Sequence, residues 1–343
     1  SPLKVLGVEN RIYPTSPLAE KAAVLEEYTR NVQAGEGATH YMPPMGSMVY
    51  TGYGVNDFND TIYGDYVKDA DSDTVSNKYM TEKMKLAFEL SANEYQDGLM
   101  HPDILTINSK DFEGANMLND VSYVFCINNQ FGDSERVSEI YSTMYGFDVT
   151  AIPVKETYYI SNTWAAGGNG ISSSCEHPEE AMRFINAMTQ EEGKELYNTV
   201  VYGIEGVHYN KIDDMHIETL EYSGTQGGVE TSYSAMKWIM GNTFNAYLNQ
   251  ACTDDEVEES LKLNESEDNI KSDLIGSTFK TDAIKTQLEQ TTAVATEYSK
   301  PLMYGVMGEN WEATYNDFVD KMKNAGVEEA TAELQAQVDA FLK

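Results

Sequence analysis

Cysteine, glutamate and histidine are consecutive at Cys175, Glu176 and His177, within the stretch ISSSCEHPEE. Such side chains can act as a nucleophile with its base, or as ligands of a metal ion. A zinc site needs further ligands at fixed spacing, such as a second histidine one helical turn along, and none follows. The two partners of a nucleophilic pair must face each other, which adjacent residues at a helix start rarely do. The spacing therefore argues against chemistry at this position.

The same stretch has the features of a helix N-terminus. Pro178 suits a first helical position, because its missing N–H would be unpaired there in any case. Glu179 and Glu180 would lie at the positive end of the helix dipole. Apolar residues then follow with the spacing of one helical face, at Ala181, Phe184, Ile185 and Met188. The sequence therefore predicts a capped, amphipathic helix that begins near residue 178.

Other catalytic and metal-binding motifs are incomplete. The glycine-rich GGNGISSS has no lysine after its glycines, and Ser173 occupies the third glycine position of a dinucleotide fingerprint. The stretch DADSDT, residues 69–74, alternates aspartates like a calcium loop, but Thr74 stands at the required glycine position and Met80 at the required glutamate position. We predict no catalytic residue, no metal and no cofactor. The 56 acidic residues leave open a glycosidase-type carboxylate pair, which no local pattern nominates.

Composition and charge limit the class of protein. With 343 residues the chain can bury a substantial core, and this length suggests two domains or lobes. The net charge of −33 argues against nucleic acid or an anionic membrane surface as a partner, because both would repel the chain. No apolar run approaches the roughly 20 residues that cross a bilayer. The three cysteines are far apart and odd in number, so no disulfide framework is predicted.

Aromatic rings and side-chain amides are the residues best suited to binding a ligand. Rings stack on the C–H faces of sugars, and amides pair with hydroxyl groups. The chain has 23 tyrosines. Many fall in presumed loops, namely Tyr41, Tyr50, Tyr53, Tyr63, Tyr66, Tyr202, Tyr209 and Tyr233. Any single one of them is more often a core or surface tyrosine than a ligand contact. The run VSYVFCIN predicts a buried strand, and α/β sheets bind ligands just beyond the carboxyl ends of such strands. The residues at this point are Asn128, Asn129, Gln130 and Phe131.

Further candidate residues lie at a second strand exit and in one helix. Trp164 ends the predicted strand YYISNTW and leads into Gly167 and Gly168, which would allow a ligand close to the backbone. Trp238 is either a further aromatic wall or the core anchor of its helix. With Tyr53 and Tyr233 from the presumed loops, these residues complete the predicted ligand-binding set.

The order of elements indicates an α/β protein with a helical end. Helices alternate with strands up to about residue 205, which is typical of a layered α/β sheet. Beyond about residue 230 the pattern turns helical. Three successive helices are predicted in IKTQLEQTTAVATEYS, NWEATYNDFVDKMKNAG and VEEATAELQAQVDAFL. An earlier helix, MTEKMKLAFELSANEYQDG, is predicted to end at Gly98.

These elements resemble a known family in their order and motifs. The stretch AAGGNGISSSC, taken as a strand, runs into the helix EHPEEAMRFINAMTQEEGKELY and then the turn YGIEGVHY. This succession resembles the extracellular solute-binding proteins of ABC importers, family 1, the maltose-binding-like cluster. The segment from STFKTDAIKTQLEQ to the end resembles the helical C-terminal region of the lipoprotein branch, which ends in a run like KLKAAG…E.Q.Q.D.W. The similarity covers most of residues 15–343.

The resemblance implies a fold and a domain organisation. The expected fold is an α/β, periplasmic-binding-protein-like II clamp of two lobes with a helical C-terminal region. Residues 1–152 would form the first part of one lobe, residues 153–229 a hinge crossing and the returning part of the other, and residues 230–343 a helical region packed on the first. Phe131 matches the ligand-stacking ring of relatives. The family's βαβα segment and lipid-anchoring cysteine would precede residue 1.

The resemblance also implies a function. The expected protein captures a small solute between its lobes and delivers it to the permease subunits of an ABC importer. An oligosaccharide is the first expected solute and a peptide the second. The protein is expected to be a monomeric non-enzyme, extracellular or periplasmic, and lipid-anchored when full-length. Two alternatives stay open at this stage, namely a carbohydrate-active hydrolase and a fragment of a solute-binding protein that binds nothing.

Overall fold

The computed structural model describes residues 18–36, 60–68, 72–106, 159–160, 169–220, 240–249 and 270–343, with some single residues between these ranges. The chain folds into two compact units. The first unit comprises Ser1–Trp164 and Asn264–Lys343, and the second comprises Ala165–Leu263. The chain thus leaves the first unit after Trp164 and returns to it after Leu263, whereas the sequence predicts these transitions after residues 152 and 229.

Short strands and longer helices make up both units. In chain order the elements of the described residues are α1 (Leu18–Glu36), β1 (Asp60–Tyr63), β2 (Tyr66–Lys68), β3 (Val75–Asn77), α2 (Glu82–Gln96), β4 (Tyr159–Ile160), α3 (Pro178–Thr189), α4 (Lys194–Tyr202), β5 (Tyr209–Lys211), β6 (His216–Thr219), β7 (Leu248–Asn249), β8 (Ile270–Lys271), α5 (Lys285–Met303), α6 (Trp311–Asn324) and α7 (Val327–Phe341). Strands β1, β2 and β3 form an antiparallel sheet, and β4 pairs in parallel with β8. In the second unit, β6 pairs antiparallel with β5 and parallel with β7.

Local sequence explains where helix α2 begins and ends. The Thr81 side chain accepts a hydrogen bond from the Met84 N–H at 3.2 Å, which caps the first turn. Gly98 follows the helix in the left-handed conformation, with φ of 71°, as the sequence predicts for a helix stop. The residues that α2 buries have helical spacing and include Met84, Ala87, Phe88 and Ser91.

The three C-terminal helices belong to the core of the first unit. They occupy the predicted segments, and Gly326 separates α6 from α7 with a left-handed φ of 87°. The Tyr315 ring of α6 lies 5.9 Å from the Phe88 ring of α2. The Tyr66 hydroxyl of β2 donates to Thr291 Oγ1 of α5 at 3.1 Å. The helical end of the chain and the β1–β3 sheet therefore share one hydrophobic core.

Two glutamines attach helix α7 to the backbone of the same unit. Gln335 Oε1 accepts the Val75 N–H of β3 at 2.7 Å, and Gln335 Nε2 donates to the Asp73 carbonyl at 2.8 Å. Gln337 bonds both backbone groups of Lys280 in the same manner, at 2.8 and 2.9 Å. The Gln335 amide thus bonds the β3 backbone as a neighbouring strand would. Because β3 is an edge strand of its sheet, Gln335 also protects this edge.

A buried carboxylate ties the segment after β8 to strand β1. Asp60 is fully buried, and its Oδ2 accepts a 2.6 Å hydrogen bond from Ser272 Oγ, which itself accepts the Leu274 N–H. Lys68 lies opposite Asp60 in the β1–β2 register, and its Nζ lies 3.2 Å from Asp73 Oδ1. The Asp73 carboxylate, one of the aspartates of the calcium-like pattern, is therefore part of an ion pair.

The second unit has a smaller core of its own. Its buried apolar residues are Met188, Tyr197, Val201, Tyr202, Tyr209, Ile217, Ala246 and Tyr247. Asn198 of α4 donates through Nδ2 to the Asn245 carbonyl and accepts the Tyr247 N–H, both at 2.7 Å. These bonds hold the chain before β7 against α4. Among the helices that the structure describes, none is both long and apolar enough to cross a membrane.

Candidate binding site

The ligand-binding residues predicted from the sequence lie outside the described part of the chain. They are Tyr53, Asn128, Asn129, Gln130, Phe131, Trp164, Gly167, Gly168, Tyr233 and Trp238. Their role stays a prediction. The structure describes the chain again from Asn169, so the segment between Asn169 and helix α3 is the described sequence nearest to the glycine pair.

Residues 169–177 form an exposed turn and not the strand that the resemblance implies. The Cys175 N–H donates to the Ser172 carbonyl at 3.0 Å, and the Ser174 N–H donates to Ser172 Oγ at 3.2 Å. The Ser172 and Ser174 hydroxyls lie 2.8 Å apart. The strand expectation is wrong here because these serines bond to each other and to nearby backbone, which competes with strand pairing.

The predicted helix start is confirmed. Helix α3 begins at Pro178, and His177 occupies the N-cap position without a side-chain capping bond. Glu179 and Glu180 lie in the first turn, where the helix dipole favours negative charge. Cys175 is a half-buried free thiol. Within the described ranges, no three histidine, cysteine, aspartate or glutamate side chains are grouped so that they could hold a metal ion.

A cavity of about 710 Å³ opens beside the start of α3. It is lined by Ile171, Ser172, Ser173, Cys175, Pro178, Glu179, Met182 and Arg183. The Arg183 guanidinium lies 3.8 Å from Glu179 and 3.9 Å from Glu180, in exposed ion pairs of one helix. None of the lining residues carries an aromatic ring or an amide. The wall of this cavity therefore differs from the ring-and-amide chemistry that holds a sugar.

Several tyrosines of the presumed loops are core residues. Tyr66 lies in β2, Tyr202 ends α4 and Tyr209 begins β5, and all three are buried. The Tyr247 ring lies 5.8 Å from Tyr209 and 6.4 Å from Tyr202. Burial raises the pKa of the Tyr209 hydroxyl. These rings stabilise the two cores, as expected for most tyrosines of the chain, and they are not available as stacking surfaces. Tyr63 is exposed, at the end of β1.

Two lysines of the second unit flank the ring of Tyr247, a contact that the sequence did not indicate. Lys194 Nζ and Lys211 Nζ lie 5.5 and 5.3 Å from the centroid of the Tyr247 ring. Lys194 Nζ also lies 2.8 Å from Met215 Sδ, and Lys211 Nζ lies 3.5 Å from Glu205 Oε2. A hydrogen bond to Tyr247 raises the pKa of Lys211. Because the lysines come from different elements, no local spacing could have shown that they flank one ring.

Comparison with known proteins finds relatives for most of the chain. Residues 273–343 match a family model described as "Domain of unknown function (DUF3502)". A "Carbohydrate ABC transporter substrate-binding protein" of Streptococcus pneumoniae serotype 4 is 23% identical over 281 residues. This match covers 81% of the chain and 54% of the relative, so the chain spans about half the length of the curated relative.

Solved structures with the same fold include the N-glycan transport solute binding protein (NgtS) of Streptococcus pneumoniae. That structure is 19% identical to the chain, with a TM-score of 0.74, and the match covers 99% of this chain and 70% of NgtS. NgtS in complex with Man5GlcNAc gives a TM-score of 0.71 at 20% identity, with the same coverage. A solute-binding protein described as HMO-binding, from Bifidobacterium longum infantis, gives 0.58 at 14% identity and covers 100% of this chain and 72% of that one.

These matches confirm the fold class predicted from the sequence. The helical C-terminal region is present as α5, α6 and α7, and it coincides with most of the segment that the family model matches. The solved relatives are solute-binding proteins. The structural match to them establishes the fold alone, because their sequences are less than 25% identical to this chain. In sequence and in fold, this chain resembles the substrate-binding proteins of carbohydrate ABC transporters, and it has their α/β solute-binding-protein fold with a helical C-terminal region.

Proposed function

We propose that this chain is part of the solute-binding component of an ABC importer, and that its solute is an oligosaccharide delivered to the permease subunits. The observation that carries the proposal is the fold match to NgtS, which extends over 99% of this chain with a TM-score of 0.74. The carbohydrate transporter protein that is 23% identical supports the same class of solute. NgtS is described with Man1GlcNAc and with Man5GlcNAc, which are neutral glycans.

The proposed site uses rings for stacking and amides for hydroxyl groups. We assign Phe131 and Trp164 as the stacking rings, because sugar C–H faces pack on aromatic faces. Asn128, Asn129 and Gln130 would pair with hydroxyl groups, each amide offering a donor and an acceptor. A neutral glycan suits this set, since it carries no charge for the strongly acidic chain to repel.

The remaining proposed residues shape the site. Gly167 and Gly168 would let the solute approach the backbone, because a glycine has no Cβ to block it. Tyr53, Tyr233 and Trp238 would supply further aromatic walls. We expect binding to act by a population shift, because a ligand stabilises the conformations to which it binds best.

The matched relatives are transporter binding proteins by description, and we propose that this chain likewise does not alter its solute. The competing hydrolase hypothesis requires two carboxylates roughly 5 to 10 Å apart at the bound sugar. We further propose that the protein acts outside the cytoplasmic membrane, extracellular or periplasmic, as a lipid-anchored monomer. Capture of solute before transport requires that location.

Isothermal titration calorimetry tests the proposal. The chain is titrated with Man1GlcNAc, Man5GlcNAc, a milk-oligosaccharide panel and a peptide panel, and each sugar is afterwards analysed by chromatography. We expect heat from at least one glycan and an unaltered sugar. Phe131→Ala and Trp164→Ala should each weaken binding about tenfold or more, as loss of a buried aromatic contact does. Tyr63→Ala is the matched control, because Tyr63 is an exposed ring outside the proposed site.

Each other result would reject part of the proposal. Cleavage products would identify a hydrolase. Heat from peptides alone would change the solute class. A natively folded chain, by circular dichroism, that gives no heat with any solute would be a fragment that binds nothing.

A further inference from the structure

Among the described elements of the first unit, strands β4 and β8 lie nearest in sequence to the two points where the chain changes unit. Strand β4 ends four residues before the chain leaves the first unit after Trp164, and β8 begins six residues after the chain returns at Asn264. The two strands are parallel neighbours, with Tyr159 opposite Ile270. A contact that fixes this pair therefore fixes both crossing segments on the first unit.

Strand pairing by itself is a weak attachment here. Within the described residues, each of the two strands contributes two residues to the pair. Two-stranded pairs are at best marginally stable in water, and parallel pairing is slightly less stable per residue than antiparallel pairing. So short a pair depends on contacts from the segments that flank it.

The flanking contact is a hydrogen bond between Ser272 and Asp60. Ser272 follows β8 directly, and its Oγ donates to Asp60 Oδ2 at 2.6 Å. This distance is typical of a charge-assisted bond from a hydroxyl to a carboxylate, which is about twice as strong as a bond between neutral groups. Both residues are buried. Ser272 Oγ also accepts the N–H of Leu274, a residue of the first unit's core, so the segment after β8 is attached by polar and by apolar contacts.

The β1–β3 sheet holds Asp60 in place. Asp60 begins β1 and is paired with Lys68 of β2, which is only 5% exposed. The side chains of directly paired residues share one face of a sheet, so a buried carboxylate and a buried lysine lie on the same face. Burying a charge is costly and contributes little net stability, whereas its hydrogen bond is directional. A fixed, directional acceptor of this kind sets the position of the residue that donates to it.

We propose that Asp60 and Ser272 are positioning residues for solute binding, because their hydrogen bond holds β8, and through β8 its neighbour β4, in the place that binding requires. The link to binding rests on the proposed function, in which Trp164 is a stacking ring. Trp164 lies outside the described residues, but it follows β4 by four residues in the sequence. Four residues of extended chain span at most about 14 Å, so the position of β4 limits where this ring can lie. Asp60 and Ser272 themselves are not expected to touch the solute.

Hydrogen exchange and calorimetry test the two halves of the proposal. Exchange is followed by mass spectrometry of peptides that contain residues 159–160 or 270–271. In Ser272→Ala, exchange in both should become at least about tenfold faster, because a hydrogen bond to a charged group contributes that factor or more to the local opening equilibrium. The same variant is titrated with Man5GlcNAc and with the milk-oligosaccharide panel. Its affinity should be at least about threefold weaker, since fewer molecules hold the strands in the binding position.

Tyr66→Phe is the matched control. It removes another buried hydrogen bond from a hydroxyl to a distant side chain of the same unit, the 3.1 Å bond from Tyr66 to Thr291 Oγ1 of α5. Exchange in α5 should become faster in this variant, which shows that the unit is destabilised. Exchange in β4 and β8 and the glycan affinity should change less than twofold, because the lost bond does not hold these strands.

Asp60→Asn tests whether the charge of the acceptor matters. The side chain keeps an oxygen acceptor but loses its charge, so the bond from Ser272 should be about half as strong. In this background the step from Ser272 to alanine should accelerate exchange in β8 only about threefold, which is the square root of tenfold. Asp60→Asn alone should accelerate it about threefold, and this single variant carries the test if Ser272→Ala does not fold by circular dichroism.

Each outcome decides the proposal. Equal acceleration of β4 and β8 in Ser272→Ala and in Tyr66→Phe would show that the bond adds only general stability, and the proposal would be wrong. Faster exchange with unchanged glycan affinity, or weaker affinity with unchanged exchange, would overturn the positioning role in binding. Failure of the proposed function is recognised separately, because the unaltered chain then gives no heat with any glycan. In that case the exchange of β4 and β8 alone decides whether Asp60 and Ser272 position the strands.

Discussion

Replacing Gln335 by alanine tests how the C-terminal helix α7 is attached to the first unit. Gln335 and Gln337 lie on the same helix, and each amide bonds one backbone N–H and one backbone carbonyl. They differ in the burial of those partners. The hydrogen bond from the Val75 N–H is partly buried, whereas both bonds to Lys280 are exposed. The second glutamine is therefore a matched control for the first.

The expected magnitudes follow from what replaces each lost bond. In Gln335→Ala, the Val75 N–H loses its acceptor within packed structure, and an unsatisfied buried group costs about 1–3 kcal/mol. Water replaces the exposed bond from Gln335 to the Asp73 carbonyl, so that loss adds little. Alanine recovers a few tenths of a kcal/mol through its helix propensity. We expect a loss of about 0.7–2.7 kcal/mol for Gln335→Ala and of about 0.5 kcal/mol or less for Gln337→Ala.

Urea denaturation with a single reporter gives the required measurement. The chain has three tryptophans, of which Trp311 begins α6 in the first unit. In a background of Trp164→Phe and Trp238→Phe, the fluorescence of Trp311 reports unfolding of this unit. The change in free energy of unfolding follows from the midpoint shift multiplied by the denaturant slope. Equal losses for the two glutamine variants, or a loss below about 0.5 kcal/mol for Gln335→Ala, would refute the account of the attachment.

Three further outcomes are expected from urea denaturation of the same unit. Gly305→Ala should lower the free energy of unfolding by more than about 3 kcal/mol, because φ is +65° and an added Cβ would lie 2.0 Å from a carbonyl oxygen of α2. Its control is Gly276→Ala, where φ is +88° but the space is open, and where the loss should be about 1 kcal/mol. Phe318→Ala, in the fully buried core, should cost about 3–5 kcal/mol, and the 45% exposed Phe341→Ala less than about 1 kcal/mol. Burial raises the pKa of Tyr315 to about 12, above the unfolded value of about 10. The unfolded state therefore loses its proton first as the pH rises, and the free energy of unfolding should fall between pH 10 and 12. This fall should be absent in Tyr315→Phe. A wild type and a phenylalanine variant that lose stability in parallel over that range would contradict the last expectation.

The helices were predictable because their sequence signals are local. The start of α3 at Pro178 follows from the missing proline N–H and the acidic first turn, and the stop of α2 follows from Gly98. Apolar spacing also identifies the buried side of α2. Each of these features acts within one or two turns of helix, and no distant contact is needed to produce it.

The environment of particular side chains was not predictable in the same way. Spacing shows that α3 is amphipathic, but it does not say what covers Phe184, and in the structure this ring is 43% exposed. The sequence places Tyr202 and Tyr209 in presumed loops, yet their rings meet Tyr247 in a core. The glutamine attachment of α7 to β3 likewise depends on a pairing between distant parts of the chain.

The C-terminal segment that matches a domain of unknown function does not have a core of its own. Leu288, Phe318 and Leu334 are buried in one cluster with Met84 and Phe88, which lie far earlier in the chain. Gly305 allows the loop after α5 to approach α2 so closely that no side chain fits between them. Helices α5, α6 and α7 therefore complete the first unit and do not form a separate module. A function for this segment is accordingly to be sought in what the first unit does as a whole.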